Sequence, residues 1–146
     1  MNELDRKCWL GVASLEHVNS AVEQGICQFS HGKMSAVKNI SSGDWIVYYS
    51  PKDKMEGGTA VQAFTAIGQV AAGEIEPSKK KDDIHYRRSV NYRASAQYAA
   101  VRPLLSKLSF VKNPDRWGLA FRPSKREIKS SDFKIIAEAM GINISI

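Results

Sequence analysis

The residue types needed for a nucleophilic triad occur in this sequence, for example as Ser50, His31 and Asp44, and the types that hold zinc occur as Cys8, His17, Cys27 and His31. Neither set has the local spacing that makes such chemistry specific. There is no CxxC pair, no HExxH, no GxSxG elbow, and no GxxxxGK or GxGxxG loop to cradle a phosphate. The three histidines, His17, His31 and His85, are not paired at metal-ligand spacing. The expectation is a non-catalytic protein with no cofactor. A small hydrolase or nucleotide-processing enzyme using His31 is the competing enzymatic reading.

A different set of residues falls where strands should end and loops begin: Ser14, the run Phe29-Ser30-His31-Gly32-Lys33, the run Tyr49-Ser50-Pro51, and Trp117-Gly118. A flat nucleobase needs aromatic faces to stack on, a few fixed groups for its edge and a basic rim for phosphate, and these residues supply each. Gly32 would let the backbone approach a ligand closely. Each member has a purely structural alternative. Trp9 and Trp45 read as core, Trp117 fits either core or pocket, Ser14 is also a plain helix cap, and His31-Gly32-Lys33 is also an exposed turn.

The elements that must position these residues follow from local pattern. Trp9 to Ala13 reads as a buried strand. Ser14 then caps a helix that carries Leu15, Val18 and Val22 on one face and ends at Gly25. Ile26 to Phe29 is a short apolar run, and Met34, Val37 and Ile40 mark one or two helical turns. Trp45 to Tyr49 is a strand by its aromatic and β-branched content, ended by Ser50-Pro51, and the polar stretch up to Gly57-Gly58 reads as a flexible loop. Val61 to Val70 is a further strand with a bulge or tight bend at Gly68. Lys79 to Lys81 reads as a solvated loop before a strand at Arg87 to Arg93. Pro103 opens a short helix with Leu104, Leu105 and Leu108, and Trp117 to Phe121 reads as a strand ended by Pro123. The last helix has Ser131 as cap, Asp132 in its first turn, Phe133, Ile136 and Met140 on one face, and Gly141 as terminator. Short strands and helices without regular βαβ alternation predict an α+β fold on a small, partly open barrel of five to six strands.

At 146 residues, with 43% apolar and 25% charged side chains, the chain has the composition of one globular domain, 1–146. Its longest apolar run, Trp45 to Tyr49, is far short of the roughly 20 residues of a membrane span. The N-terminus lacks a signal-peptide pattern, so a cytoplasmic location with Cys8 and Cys27 as reduced core thiols is expected. The net charge of +6 is uneven: residues 1–73 hold 6 Lys/Arg against 7 Asp/Glu, and residues 74–146 hold 15 against 8. The densest stretch, 79–93, interleaves six basic residues with Tyr86 and Tyr92, a pattern suited to phosphate contacts and base stacking. Arg116, Arg122, Lys125, Arg126 and Lys129 form a second basic run. Nucleic acid is the expected partner, an acidic protein the alternative, and a homodimer through an edge strand is compatible with either.

The ordered series Cys8-Trp9-Leu10-Gly11-Val12-Ala13-Ser14, Gln28-Phe29-Ser30-His31-Gly32-Lys33, Gly43-Asp44-Trp45-Ile46-Val47-Tyr48-Tyr49-Ser50-Pro51, Phe64-Thr65-Ala66-Ile67-Gly68, Tyr86-Arg87-Arg88-Ser89-Val90-Asn91-Tyr92 and Trp117-Gly118-Leu119-Ala120-Phe121-Arg122, closing with Asp132-Phe133-Lys134-Ile135-Ile136, resembles the EVE domain family. That family is similar to PUA and YTH domains, which implies a mixed β-barrel with flanking helices. It also implies binding of a nucleobase, a modified one, flipped from DNA or RNA into a pocket at the strand ends. By the same resemblance the pocket residues are Ser14, Phe29, His31, Gly32, Lys33, Tyr49, Ser50, Pro51, Trp117 and Arg122. Phe29 or Trp117 would stack on the base, Ser14 and Ser50 would contact its edge, and Lys33, Arg87 and Arg88 would hold phosphate. Many relatives are joined to nuclease domains, which implies a separate effector protein for a lone domain.

Overall fold

A computed structural model of the chain describes residues 6–29, 32–80 and 83–145. The central pair of strands is parallel: β1 (Cys8–Val12) lies beside β3 (Trp45–Lys52), from Cys8↔Trp45 to Val12↔Tyr49. The connection between them carries α1 (Leu15–Gln24), β2 (Ile26–Cys27) and α2 (Met34–Val37). Ser14 caps α1 through its side chain, and Gly25 closes it in the left-handed conformation, as expected from the sequence.

β4 (Ala60–Val70) runs antiparallel to β3, and its two halves take different partners. Its C-terminal end pairs with β6 (Asp83–Tyr92), and its N-terminal end pairs with β7 (Ala99–Ala100). β6 in turn carries β5 (Glu76–Lys80) and β2, while β8 (Lys125–Ile128) lies antiparallel outside β1. The order β2-β6-β4-β3-β1-β8 gives a mixed sheet curled into a half-barrel with a few short helices.

Strand alternation sorts the apolar residues into two layers. Leu10, Trp45, Val47, Tyr49 and Phe64 face α3 (Ser130–Ala139) and the segment before it, whereas Trp9, Ile46, Tyr48 and Ala66 face α1, α2 and β2. The parity in β4 switches at Thr65, because Tyr48 opposes Ala66 while Tyr49 opposes Phe64. Thr65 is therefore the extra residue of the bulge, and Gly68, where the sequence placed it, pairs in register with Tyr92.

Other expectations are corrected in the same way. β3 does not stop at Ser50-Pro51 but continues to Lys52, since Pro51 falls at the register irregularity between Ser50 and Lys52, where its missing N–H breaks no ladder bond. The segment expected as a strand at Trp117 to Phe121 is a 3-10 helix, Pro114–Phe121. The Asn113 side chain accepts from Asp115 N at 3.0 Å and Pro114 presets the first turn; the backbone kinks at Arg116 between two short 3-10 turns, and the rings of Trp117 and Phe121 come to 5.9 Å of each other. Charged β5 and β8, read as loop and basic run, are strands. Among the described residues the sheet is a path of six strands with β5 and β7 added beside it, in keeping with the expected α+β half-barrel. α3 begins at Ser130, one residue before the expected Ser131 cap, and the Asp132 carboxylate turns inward to accept from Ser109 N at 2.8 Å. Among the described residues no helix is long and apolar enough to cross a membrane.

Candidate functional site

Because β1 and β3 are parallel, both end at the same edge of the sheet, and a cleft of about 490 Å³ opens there. This volume lies in the range of small-molecule sites. Val12, Ala13 and Ser14 enter it from the end of β1, and Pro51 and Lys52 from the end of β3. His17 projects from the first turn of α1, Gln28 and Phe29 follow β2, and His85 comes from β6. Lys54 and Met55 form part of the rim, with Met55 79% exposed.

The walls are tied together by backbone bonds. Ala13 N donates to Tyr49 O at 3.1 Å, and Val12 N to Ser124 O at 2.9 Å. Glu16 N, at the start of α1, donates to Asp53 O at 2.9 Å. The loop after β3 is closed on itself, with Asp53 N donating to Thr59 O at 3.0 Å and Thr59 N to Asp53 Oδ1 at 2.7 Å. The segment expected as a flexible loop is thus anchored at its base to the helix. On the opposite wall the Gln28 amide nitrogen donates to His85 Nδ1 at 3.2 Å.

Phe29 is 4% exposed and stacks on Tyr48 with ring centroids 5.6 Å apart. Gly11 makes room for this pair: a Cβ there would lie 2.6 Å from the Phe29 ring and 2.7 Å from the Tyr48 ring. Gly32, expected to admit a ligand, instead admits His85. Its φ is +80°, and a Cβ would meet the His85 side chain at 2.5 Å.

Of the residues singled out in the sequence, Ser14, Phe29 and Pro51 come together in the cleft. Ser30 and His31 lie outside the described residues. Lys33 is exposed at the start of α2. Tyr49 and Ser50 do not reach the cleft. Tyr49 belongs to the layer under α3, 4.3 Å from Phe121, and Ser50 is 0% exposed, its hydroxyl 2.8 Å from that of Thr65. Trp117 packs on that same layer, edge-on to Tyr49 at 6.4 Å with the Arg102 guanidinium 5.3 Å above its ring, and exposed Arg122 follows the 3-10 helix. Arg88 is 8% exposed, and its Nη2 donates to Ser42 Oγ and Gly73 O, both at 2.8 Å, so its guanidinium is committed to the fold.

The sequence reading missed His17, Gln28, Lys52, Lys54, Met55 and His85. A signal existed for His17, one helical turn beyond the Ser14 cap, and for the two lysines, which directly follow Pro51. Nothing local marked His85, which reaches the cleft through the pairing of β6.

Arg87 occupies a second, polar recess of about 250 Å³ that shares His17, Gln28 and His85 with the cleft. Its Nη1 donates to Gln24 Oε1 at 3.2 Å.

Cys8, Cys27 and Asp44 are held in structural roles. Cys8 and Cys27 are free and buried in different layers, and burial pushes both thiols up to about 12, with the nearby Asp44 and Glu127 charges adding to the effect at Cys8. Neither offers a thiolate at neutral pH. The Asp44 carboxylate accepts from Lys7 N, Ser41 N and Trp9 Nε1 at 2.9 to 3.0 Å, which ties β1 to the turn before β3. Among the described residues no three His, Cys, Asp or Glu side chains gather as a metal site.

The chain is 38% identical over 138 residues to UPF0310 protein YdcG of Bacillus subtilis (strain 168), covering 94% of each. It is 36% identical over 137 residues to a UPF0310 protein of Mycolicibacterium gilvum (strain PYR-GCK), covering 93% of this chain and 96% of that one. The crystal structure of protein Atu2648 from Agrobacterium tumefaciens superposes with a TM-score of 0.57 at 13% identity, over 93% of this chain and 94% of that one. A hypothetical protein from Leishmania major gives 0.56 at 12% identity, over 96% and 98%. These two likenesses concern the fold. With the EVE domain model matching residues 7–139, from the start of β1 to the end of α3, the chain belongs to the EVE domain family.

Proposed function

We propose that this chain is a non-catalytic nucleic-acid-binding module whose cleft takes up a single nucleobase, a modified one, from DNA or RNA. The observation that carries this reading is the composition of the cleft. Phe29, Pro51 and Met55 supply apolar surface, Ser14, Gln28 and His85 supply hydrogen-bonding groups, and Lys52 and Lys54 bring positive charge to the same opening. Membership of the EVE domain family and the basic excess of residues 74–146 support it.

In this reading the base lies against Phe29 and Pro51 with its edge toward Ser14, Gln28 and His85, while Lys52, Lys54 and Lys33 hold the backbone. Tyr49, Ser50, Trp117 and Arg88 act through the fold. A methyl group on the base adds apolar area worth about 0.8 kcal/mol when buried, so preference over the unmodified base is several-fold. A single-stranded base is the easier ligand, since extrusion from a duplex costs a few kcal/mol.

The test is calorimetric titration with matched short single strands carrying unmodified, methylated or hydroxymethylated bases, at two salt concentrations. One modified base is expected to bind in preference, with affinity falling as salt rises and with Ser14→Ala reducing the preference. Salt-sensitive binding without any preference would reduce the reading to a generic nucleic-acid surface, and absence of binding would overturn it.

A further inference from the structure

We infer that the ligand of the cleft is a strand rather than a free nucleoside, and that the recess beside the cleft seats the phosphate linking the bound nucleotide to its neighbour, held by Arg87. This rests on the reading of the cleft as a base site.

The recess continues the cleft along α1. His17 belongs to both, and Ser20 and Gln24 carry the wall toward the end of the helix. From His17 to Gln24 is about 10 Å at the helical rise of 1.5 Å per residue, room for a sugar and a phosphate. The other bank is the β5–β6 hairpin, where the paired residues Ser78 and His85 project beside Arg87. A chain leaving the cleft past Gln28 and His85 therefore passes directly over Arg87.

The two compartments differ in chemistry. Exposed lining in the cleft is mostly apolar, and in the recess it is mostly polar. Arg87 Nε is shielded from solvent without a hydrogen-bond partner, while Nη1 meets only a neutral amide, Gln24 Oε1. Its cross-strand neighbour Glu76 is exposed. The half-exposed Arg87 guanidinium lines the recess with its Nη1 side open to solvent, and a phosphate oxygen is the acceptor whose geometry matches the guanidinium fork. Ser20 and Ser78 add hydroxyl donors beside it.

The experiment uses fluorescence anisotropy with five-nucleotide single strands whose central base is 5-methylcytosine, 5-hydroxymethylcytosine or N6-methyladenine. Each strand is made with all phosphates charged and with one flanking phosphate replaced by an uncharged methylphosphonate, and the free nucleosides are measured alongside by calorimetry. Wild-type protein should lose about tenfold in affinity for one methylphosphonate position. Arg87→Gln should lose the same on the fully charged strand and nothing further on the neutralised one, with nucleoside binding unchanged. Gln24→Glu, which presents a carboxylate to Arg87, should reproduce the loss. Additive losses, or nucleosides binding as tightly as strands, overturn the inference while leaving the base site intact. Absence of binding by strands and nucleosides alike overturns the base site and this inference with it.

Discussion

On one face of the sheet Tyr49, Phe64, Phe110, Trp117 and Phe121 close into a network of rings whose centroids lie 4.3 to 6.4 Å apart. On the other, Phe29 and Tyr48 stack at 5.6 Å and the structure then opens into the cleft. The first face has more aromatic residues and less to offer a ligand. Its rings are spent on one another under α3 and the 3-10 helix, and Trp117 has Arg102 on its outer side. The second face has fewer rings, Trp9, Phe29, Tyr48, Tyr86 and Tyr92 among the described residues, but is where two parallel strands and a helix terminus leave backbone and side-chain polar groups beside apolar surface. Aromatic density marks a core; a binding site needs incomplete cover and polar groups at its margin.

Variants on the two faces separate these roles. The largest effect is expected for Phe121→Ala, which removes the ring that touches Tyr49, Phe64, Phe110 and Trp117 and should cost about 3–5 kcal/mol in urea unfolding. The folded fraction should bind strands as the wild type does. A loss of base preference in folded Phe121→Ala would erase the distinction between the faces. Gly11→Ala should come next, at about 1–3 kcal/mol, because the new methyl group must displace Phe29 and Tyr48. Here stability and base preference should fall together, since the displaced ring is a wall of the cleft; intact preference would detach Phe29 from the site. The smallest effect on folding belongs to Lys54→Ala, an exposed rim position, whose unfolding free energy should stay within about 0.5 kcal/mol. Its signature is instead a salt dependence of strand binding that is shallower by about 0.7 in log–log slope, the value for one phosphate contact to a single strand.

Much of the fold was legible because it depends on near neighbours. Ser14 as cap, Gly25 as terminator, the β-branched and aromatic content of Trp45 to Tyr49, and the apolar face of α3 all announce themselves within a few residues. The 3-10 helix was legible too, in Asn113-Pro114-Asp115, but the aromatic content of Trp117 to Phe121 outweighed that start signal. β5 and β8 were not, because their Lys, Arg and Glu residues hide the alternation that a half-buried strand normally shows, and their pairing partners supply the order. For the candidate site, the residues were all singled out by their position at expected element ends. Ser14, Phe29 and Pro51 line the cleft, while Tyr49, Ser50 and Trp117 pack into or against the other layer, because β3 runs on past Ser50 and residues 117–121 are helical.

By itself the sequence determined the strands β1, β3 and β4, the helices α1 and α3, the two-residue alternation that divides Trp45, Val47 and Tyr49 from Ile46 and Tyr48, and the caps that end α1. Those outcomes rest on local sterics and hydrogen bonds. Only the tertiary structure decided which face would be sealed and which left open, because that depends on where α3, the 3-10 helix and the β5–β6 hairpin dock, and hence on contacts between residues far apart in the chain. The shared walls of the cleft and its recess, with His17 and Gln28 brought against His85, exist only once β2 has paired with β6.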